Sequence, residues 1–168
     1  MMKTLVVYSS GYGSTKQYAE WIAQDLGAQA VPFAKADRRN LGEADRLVIG
    51  SSVRIGKLTI SSWLNRNWEA LKAKKVVFFS VSGTKPEDVK AIDEIYAKSM
   101  SDEMKAGMKR FALHGRMKFD TMSPFFRWMI KNVAKMEKDP AKREQMFAEF
   151  DDVKRESVVP VVAAAKAM

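Results

Sequence analysis

The segment that most constrains this chain is Val6-Val7-Tyr8-Ser9-Ser10-Gly11-Tyr12-Gly13-Ser14-Thr15, an apolar run that stops in a loop of hydroxyls and glycines. Such a run reads as a buried strand, and the residues after Ser14 read as a helix. Gly11 and Gly13 let the backbone turn tightly and approach an anion. The helix start then offers unpaired N–H groups and the positive end of its dipole. Ser9, Ser10, Ser14 and Thr15 add hydroxyl donors, and Tyr12 completes the loop. The spacing Gly11-x-Gly13 followed by Lys16 lacks the third glycine of a dinucleotide fingerprint, and no Gly-Lys-Ser/Thr ending marks a triphosphate loop. A monophosphate is the expected occupant.

The rest of the chain alternates strand-like and helix-like segments. Strands are expected at Lys3 to Ser9, Gln29 to Phe33, Arg46 to Val53, Val76 to Val81 and Arg110 to about Met117. Pro32 assigns the second of these to a sheet edge, and the unbroken apolar run of the fourth fits a strand covered on both faces. Helices are expected from Ser14, as N-cap, to Leu26; from Ser61 or Ser62 with Trp63, Leu64, Trp68 and Leu71 on the packed side; and from Pro86 to about Met104. Strands alternating with helices of this length argue for an α/β doubly wound sheet of five parallel strands with helices on both faces. With 168 residues and no linker or repeat, one domain is expected over 1–168. It ends in a basic amphipathic helical segment at about 123–138 and a C-terminal helix at about 141–168.

Composition narrows the chemistry. The chain has no cysteine and one histidine, which excludes disulfides and thiolate or iron-sulfur sites and leaves no plausible metal centre. Redox chemistry must then reside on an organic cofactor. His114 reads as a structural residue late in a strand, the eleven methionines as flexible core filling, and Glu87-Asp88 as first-turn charge on a helix dipole. No apolar run reaches the roughly 18 residues of a spanning helix, and no signal-peptide layout opens the chain, so a cytoplasmic protein is expected. The net charge of +9 calls for something acidic as a partner. Nucleic acid is not expected, because no recognition motif accompanies the charge.

Val6, Val7, Tyr8, Ser10, Gly13, Thr15, Ala19 and Ile22 resemble the flavodoxin signature over seventeen unbroken positions. The resemblance implies flavin mononucleotide (FMN) as cofactor and strand order 2-1-3-4-5, with the flavin where strands 1 and 3 diverge. Its walls would be Ser52-Val53-Arg54-Ile55-Gly56 after strand 3 and Ser82-Gly83-Thr84 after strand 4. In many flavodoxins these walls carry a tryptophan and a tyrosine; here neither has an aromatic residue. Backbone N–H groups of both loops are expected at the polar edge of the flavin. Arg54 is expected either at the N1 and C2 carbonyl side of the flavin, or on a substrate carboxylate, or free in solvent. The basic charge also departs from the acidic character usual for flavodoxin electron shuttles.

A second resemblance rests on Gly50-Ser51-Ser52-Val53-Arg54-x-Gly56, Arg116-x-Lys118-Phe119 and Phe125-Phe126-Arg127-Trp128-Met129-Ile130-Lys131. These are similar to the menaquinone-dependent protoporphyrinogen IX dehydrogenases, flavodoxin-fold enzymes with one FMN that associate peripherally with the membrane. The resemblance implies porphyrinogen and quinone as substrates, with an electron carrier between redox partners as the alternative. Between Lys105 and Lys138 nine Lys/Arg face two Asp/Glu, a local charge of +7. Lys118, Arg127, Lys131 and Lys135 are therefore expected to meet substrate carboxylates or anionic lipid, as part of an interfacial helix. The same stripe also reads as a sheet-covering helix with a basic outer face.

Overall fold

A computed structural model describes residues 2–168. Contacts divide the chain into two compact units, one running to Gly115 and resuming over Val153–Met168, the other Arg116–Asp152.

In the first unit, β1 (Thr4–Ser9) leads into α1 (Ser14–Leu26), then β2 (Gln29–Pro32), a short α2 (Arg38–Glu43) and β3 (Arg46–Arg54). A two-residue turn joins β3 to β4 (Lys57–Leu58), followed by α3 (Ser61–Leu71), β5 (Lys75–Ser82), α4 (Val89–Ser99), α5 (Asp102–Gly107) and β6 (Lys109–His114). The strands order as β2-β1-β3-β5-β6, with β4 attached to β3. All four pairings along that path are parallel. Counting only parallel strands, this is the 2-1-3-4-5 order expected from the sequence, and the β3–β4 hairpin is an antiparallel addition.

Alternation along the strands fills two cores. Leu5, Val7, Leu47, Ile49, Val76 and Phe78 face Trp63, Leu64, Trp68, Ile92 and Tyr96. Val6, Val48, Val77 and Phe79 face Tyr18, Ala19, Ile22 and Val161. With apolar side chains on both faces of every central strand, burial of each large one contributes roughly 1.5–3 kcal/mol. That is why the strands read as continuous apolar runs rather than alternating ones.

Several boundaries differ from the sequence reading, each for a local reason. Gly13, not Ser14, is the N-cap of α1, at φ 94° with no capping side chain. The helix expected from Pro86 to Met104 is two helices. Asp88 caps α4 by accepting from Ala91 N at 3.2 Å, and Ser101 caps α5 by accepting from Met104 N at 3.2 Å. The fifth strand stops at His114, after a last ladder bond from Gly115 N to Ser82 O at 2.9 Å. Arg116–Met117 is instead β7 of the second unit, paired antiparallel with β8 (Phe150–Asp151). Between them lie α6 (Pro124–Met136) and α7 (Pro140–Gln145). The C-terminal helix expected at 141–168 is therefore broken: α7 ends, β8 takes Phe150 and Asp151 into a sheet, and α8 (Val159–Lys166) starts afresh with Pro160 in its first turn. Proline lacks the N–H a continuing helix needs but suits a new first turn.

Candidate functional site

Parallel register carries three loops to one sheet edge, since Ser9 pairs with Ser51 and Ser51 with Ser80. In the first loop Ser10 Oγ accepts from Gly13 N at 3.1 Å. That bond, with Gly13 in the left-handed region, bends the chain into α1 so that its first N–H groups face the loop. Ser14 and Thr15 are buried at 8% and 1% exposure. Thr15 Oγ1 is buried without a hydrogen-bond partner, which costs about 1–3 kcal/mol unless a ligand satisfies it. Tyr12 is exposed at the loop tip. Ser9 is committed elsewhere: its hydroxyl lies 2.8 Å from Thr59 Oγ1, which also meets Ser52 Oγ at 2.9 Å. Thr59 escaped the sequence reading, and this hydroxyl cluster ties the end of β1 to the β3–β4 hairpin.

The second loop is that hairpin. Val53 pairs with Leu58 and Arg54 with Lys57 across a turn in which Ile55 and Gly56 have φ of 52° and 68°. Positive φ at both central residues is the turn type that matches strand twist. A β-branched residue there is strained, and its side chain is 71% exposed. The hairpin is held from behind: Leu58 N donates to Ser99 Oγ at 2.9 Å, and Ser61 Oγ donates to Ser99 O at 2.7 Å. Arg54 reaches back to the first loop, where a β-carbon on Gly11 would stand 3.0 Å from its Nη2.

In the third loop, Ser82 Oγ accepts from Thr84 N at 3.2 Å. His114 Nε2 donates to Gly83 O at 3.1 Å, and Tyr18 OH donates to His114 O at 2.6 Å. His114 thus steadies a wall of the site, in keeping with a structural histidine. Neither wall loop presents an aromatic side chain.

The four cations expected to meet substrate or lipid separate in role. Lys118 lies 3.7 Å from Asp151 Oδ2. Arg127 donates through Nε to Met122 O at 3.1 Å, strapping the segment before α6. Lys131 and Lys135 line a groove of about 460 Å³ with Trp128, Asn132, Ala134, Arg143 and Phe147. Arg143 was not anticipated from sequence; its Nε donates to Ala134 O at 3.1 Å, so its cation is fixed beside the groove. Along α6, Phe125 (61%), Trp128 (62%) and Met136 (82%) form an exposed apolar ridge. No helix among the described residues is long and apolar enough to cross a membrane.

A family model described as a flavodoxin domain matches residues 5–144. The chain belongs to the flavodoxin family. It is similar to the protoporphyrinogen IX dehydrogenase [quinone] of Escherichia coli strain K12, at 24% identity over 164 residues, covering 90% of this chain and 91% of that protein. The protein of the same name from Escherichia coli O157:H7 matches equally. Among solved structures, the flavodoxin, WrbA-like protein from Agrobacterium tumefaciens superposes with a TM-score of 0.51 at 18% identity, covering 82% of this chain and all of that one. That likeness shows the shared fold.

The cofactor of this family is FMN, and the residues present fit it. The unsatisfied Thr15 hydroxyl, the α1 N-terminus and the open space beside Gly13 make a donor set for a terminal phosphate. When bound, FMN supplies oxidoreductase chemistry that the side chains of this protein lack.

Proposed function

We propose that this flavoprotein is a dehydrogenase that takes hydrogen from protoporphyrinogen IX and passes electrons to a quinone, working at an anionic membrane surface on the cytoplasmic side. The observation that carries this reading is the likeness to the Escherichia coli enzyme over nine-tenths of both chains. That extent is too great to be confined to the parallel-sheet unit, so it takes in part of the basic, aromatic unit as well.

The residues support each requirement of the reaction. A porphyrinogen is a large apolar ring with two carboxylates, and wall loops of Ser, Gly and Thr beside Ile55 leave the flavin face accessible to it. Ser10, Gly11, Tyr12, Gly13, Ser14 and Thr15 would hold and orient the phosphate end, with Ser9 anchoring the loop to Thr59. Backbone N–H groups within Ser52–Gly56 and Ser82–Thr84 would orient the polar edge of the ring. A quinone resides in the bilayer, and the ridge on α6 with Lys131, Lys135 and Arg143 has the composition of a helix that lies in a membrane interface. Lys118 and Arg127 lend the same unit positive charge. The surplus of +9 suits anionic lipid and a dicarboxylate better than the basic partners of an acidic electron shuttle.

The deciding experiment is anaerobic turnover of the purified, FMN-loaded protein with protoporphyrinogen and a menaquinone analogue, followed by porphyrin fluorescence. Porphyrin should accumulate only when quinone is present. A yellow protein that is inert toward both, yet cycles electrons between a flavodoxin reductase and an acceptor protein, overturns the enzymatic reading in favour of a carrier.

A further inference from the structure

We propose that Arg54 is the counter-ion of the cofactor phosphate, and that it makes the site select FMN over riboflavin. This rests on the flavin reading and assigns Arg54 a place other than the flavin N1 edge or a substrate carboxylate.

A phosphate monoester carries about −1.5 to −2 charge at neutral pH, whereas a helix N-terminus returns only about half a positive charge. The loop itself brings none: residues 9–15 include no lysine or arginine, and Lys16 Nζ lies 3.8 Å from Glu20 on the outer face of α1. The hairpin supplies the missing cation. Its register pairs Arg54 with Lys57, and Ser99 pins the adjoining Leu58, so the arginine springs from a fixed point rather than a mobile tip. The turn that follows is held in a strained conformation at Ile55, and surroundings that enforce such strain are characteristic of functional positions.

Gly11 completes the arrangement. A methyl group there would stand 3.0 Å from Arg54 Nη2, so the guanidinium tip lies close against the loop backbone and would have to shift by a few tenths of an ångström for any larger residue. Where the same loop enters α1, the Thr15 hydroxyl is buried and unsatisfied. A phosphate between them would accept from Thr15 Oγ1, from the α1 N–H groups and from the planar fork of Arg54. Arginine suits this better than lysine, because its two parallel N–H donors match two phosphate oxygens.

The test is titration of apoprotein with FMN and with riboflavin, read by quenching of flavin fluorescence. Arg54→Gln should weaken FMN about 10- to 100-fold, the range for hydrogen bonds to a charged group, and leave riboflavin within about twofold. Arg54→Lys should fall between wild type and Arg54→Gln. Raising salt should weaken FMN binding by wild type more than by Arg54→Gln. Equal losses for FMN and riboflavin, or no loss for either, would overturn the proposal while leaving the cofactor intact. If the folded wild type takes up neither flavin, the flavin reading itself falls.

Discussion

Gly50 lies in the middle of β3, in register with Tyr8 on β1 and Phe79 on β5. A β-carbon there would stand 2.2, 2.6 and 2.7 Å from three atoms of the Phe79 ring, far inside the roughly 3.5–4.0 Å of an ordinary carbon contact. The ring has nowhere to go: Phe79 is fully buried in the cluster that includes Val6, Tyr18, Val48 and Val77. The backbone is equally confined, since β3 is bonded on both sides. Gly50→Ala should therefore reach the upper end of overpacking costs, about 3 kcal/mol. For a chain of this length that lowers Tm by about 6–12 °C, measurable by circular dichroism or denaturant titration. A double-mutant cycle isolates the contact. Phe79→Ala alone should cost about 3–5 kcal/mol through the cavity it leaves, but the methyl of Gly50→Ala would partly fill that cavity. The double variant should thus be at least 2 kcal/mol more stable than the sum of the single losses. Additivity within about 0.5 kcal/mol would refute the claim that this ring and this glycine share one space.

Three further outcomes are expected. Ile55→Asn should stabilise the apoprotein by about 0.5–1 kcal/mol in urea titration, because Asn accepts the left-handed turn that a β-branched residue resists; no gain would mean the turn is unstrained. Burial raises the pKa of Tyr96, whose hydroxyl lies 2.8 Å from Ser80 Oγ. The folded state then keeps a proton that the unfolded chain releases near pH 10, so stability should decline as pH rises past about 10, and Tyr96→Phe should flatten that decline in alkaline denaturation curves. The protein should sediment with phosphatidylglycerol-containing vesicles but not with pure phosphatidylcholine. Lys131→Gln with Lys135→Gln should weaken that binding about 30-fold, at roughly 1 kcal/mol per charge; equal binding to both vesicles would remove anionic lipid as the partner.

What could be read from the sequence, and what could not, divides along one physical line. The buried runs Val76–Val81 and Leu47–Ile49, the helix face Trp63, Leu64, Trp68 and Leu71, and the glycine loop after β1 are each specified by a short stretch of neighbouring residues. Their burial in the structure matches that local pattern. Elements decided by distant partners gave no such pattern. The hairpin Arg54–Leu58 has an isoleucine where a turn of its kind normally shows Asn or Gly, and it persists because Ser99, forty-one residues away, accepts from Leu58 N. Phe150-Asp151 lies in a stretch read as helix, yet it pairs with Arg116-Met117 across more than thirty residues. The same line runs through the site. The hydroxyls and glycines proposed to hold the phosphate are consecutive in the chain, so sequence alone can propose them. Thr59, which engages the Ser9 hydroxyl, and the approach of Arg54 to Gly11 arise only once β3 lies beside β1. The role proposed for Arg54 follows from that approach rather than from its place in a motif: side-chain type suggests an anion ligand, but only the strand order sets the guanidinium beside the first loop.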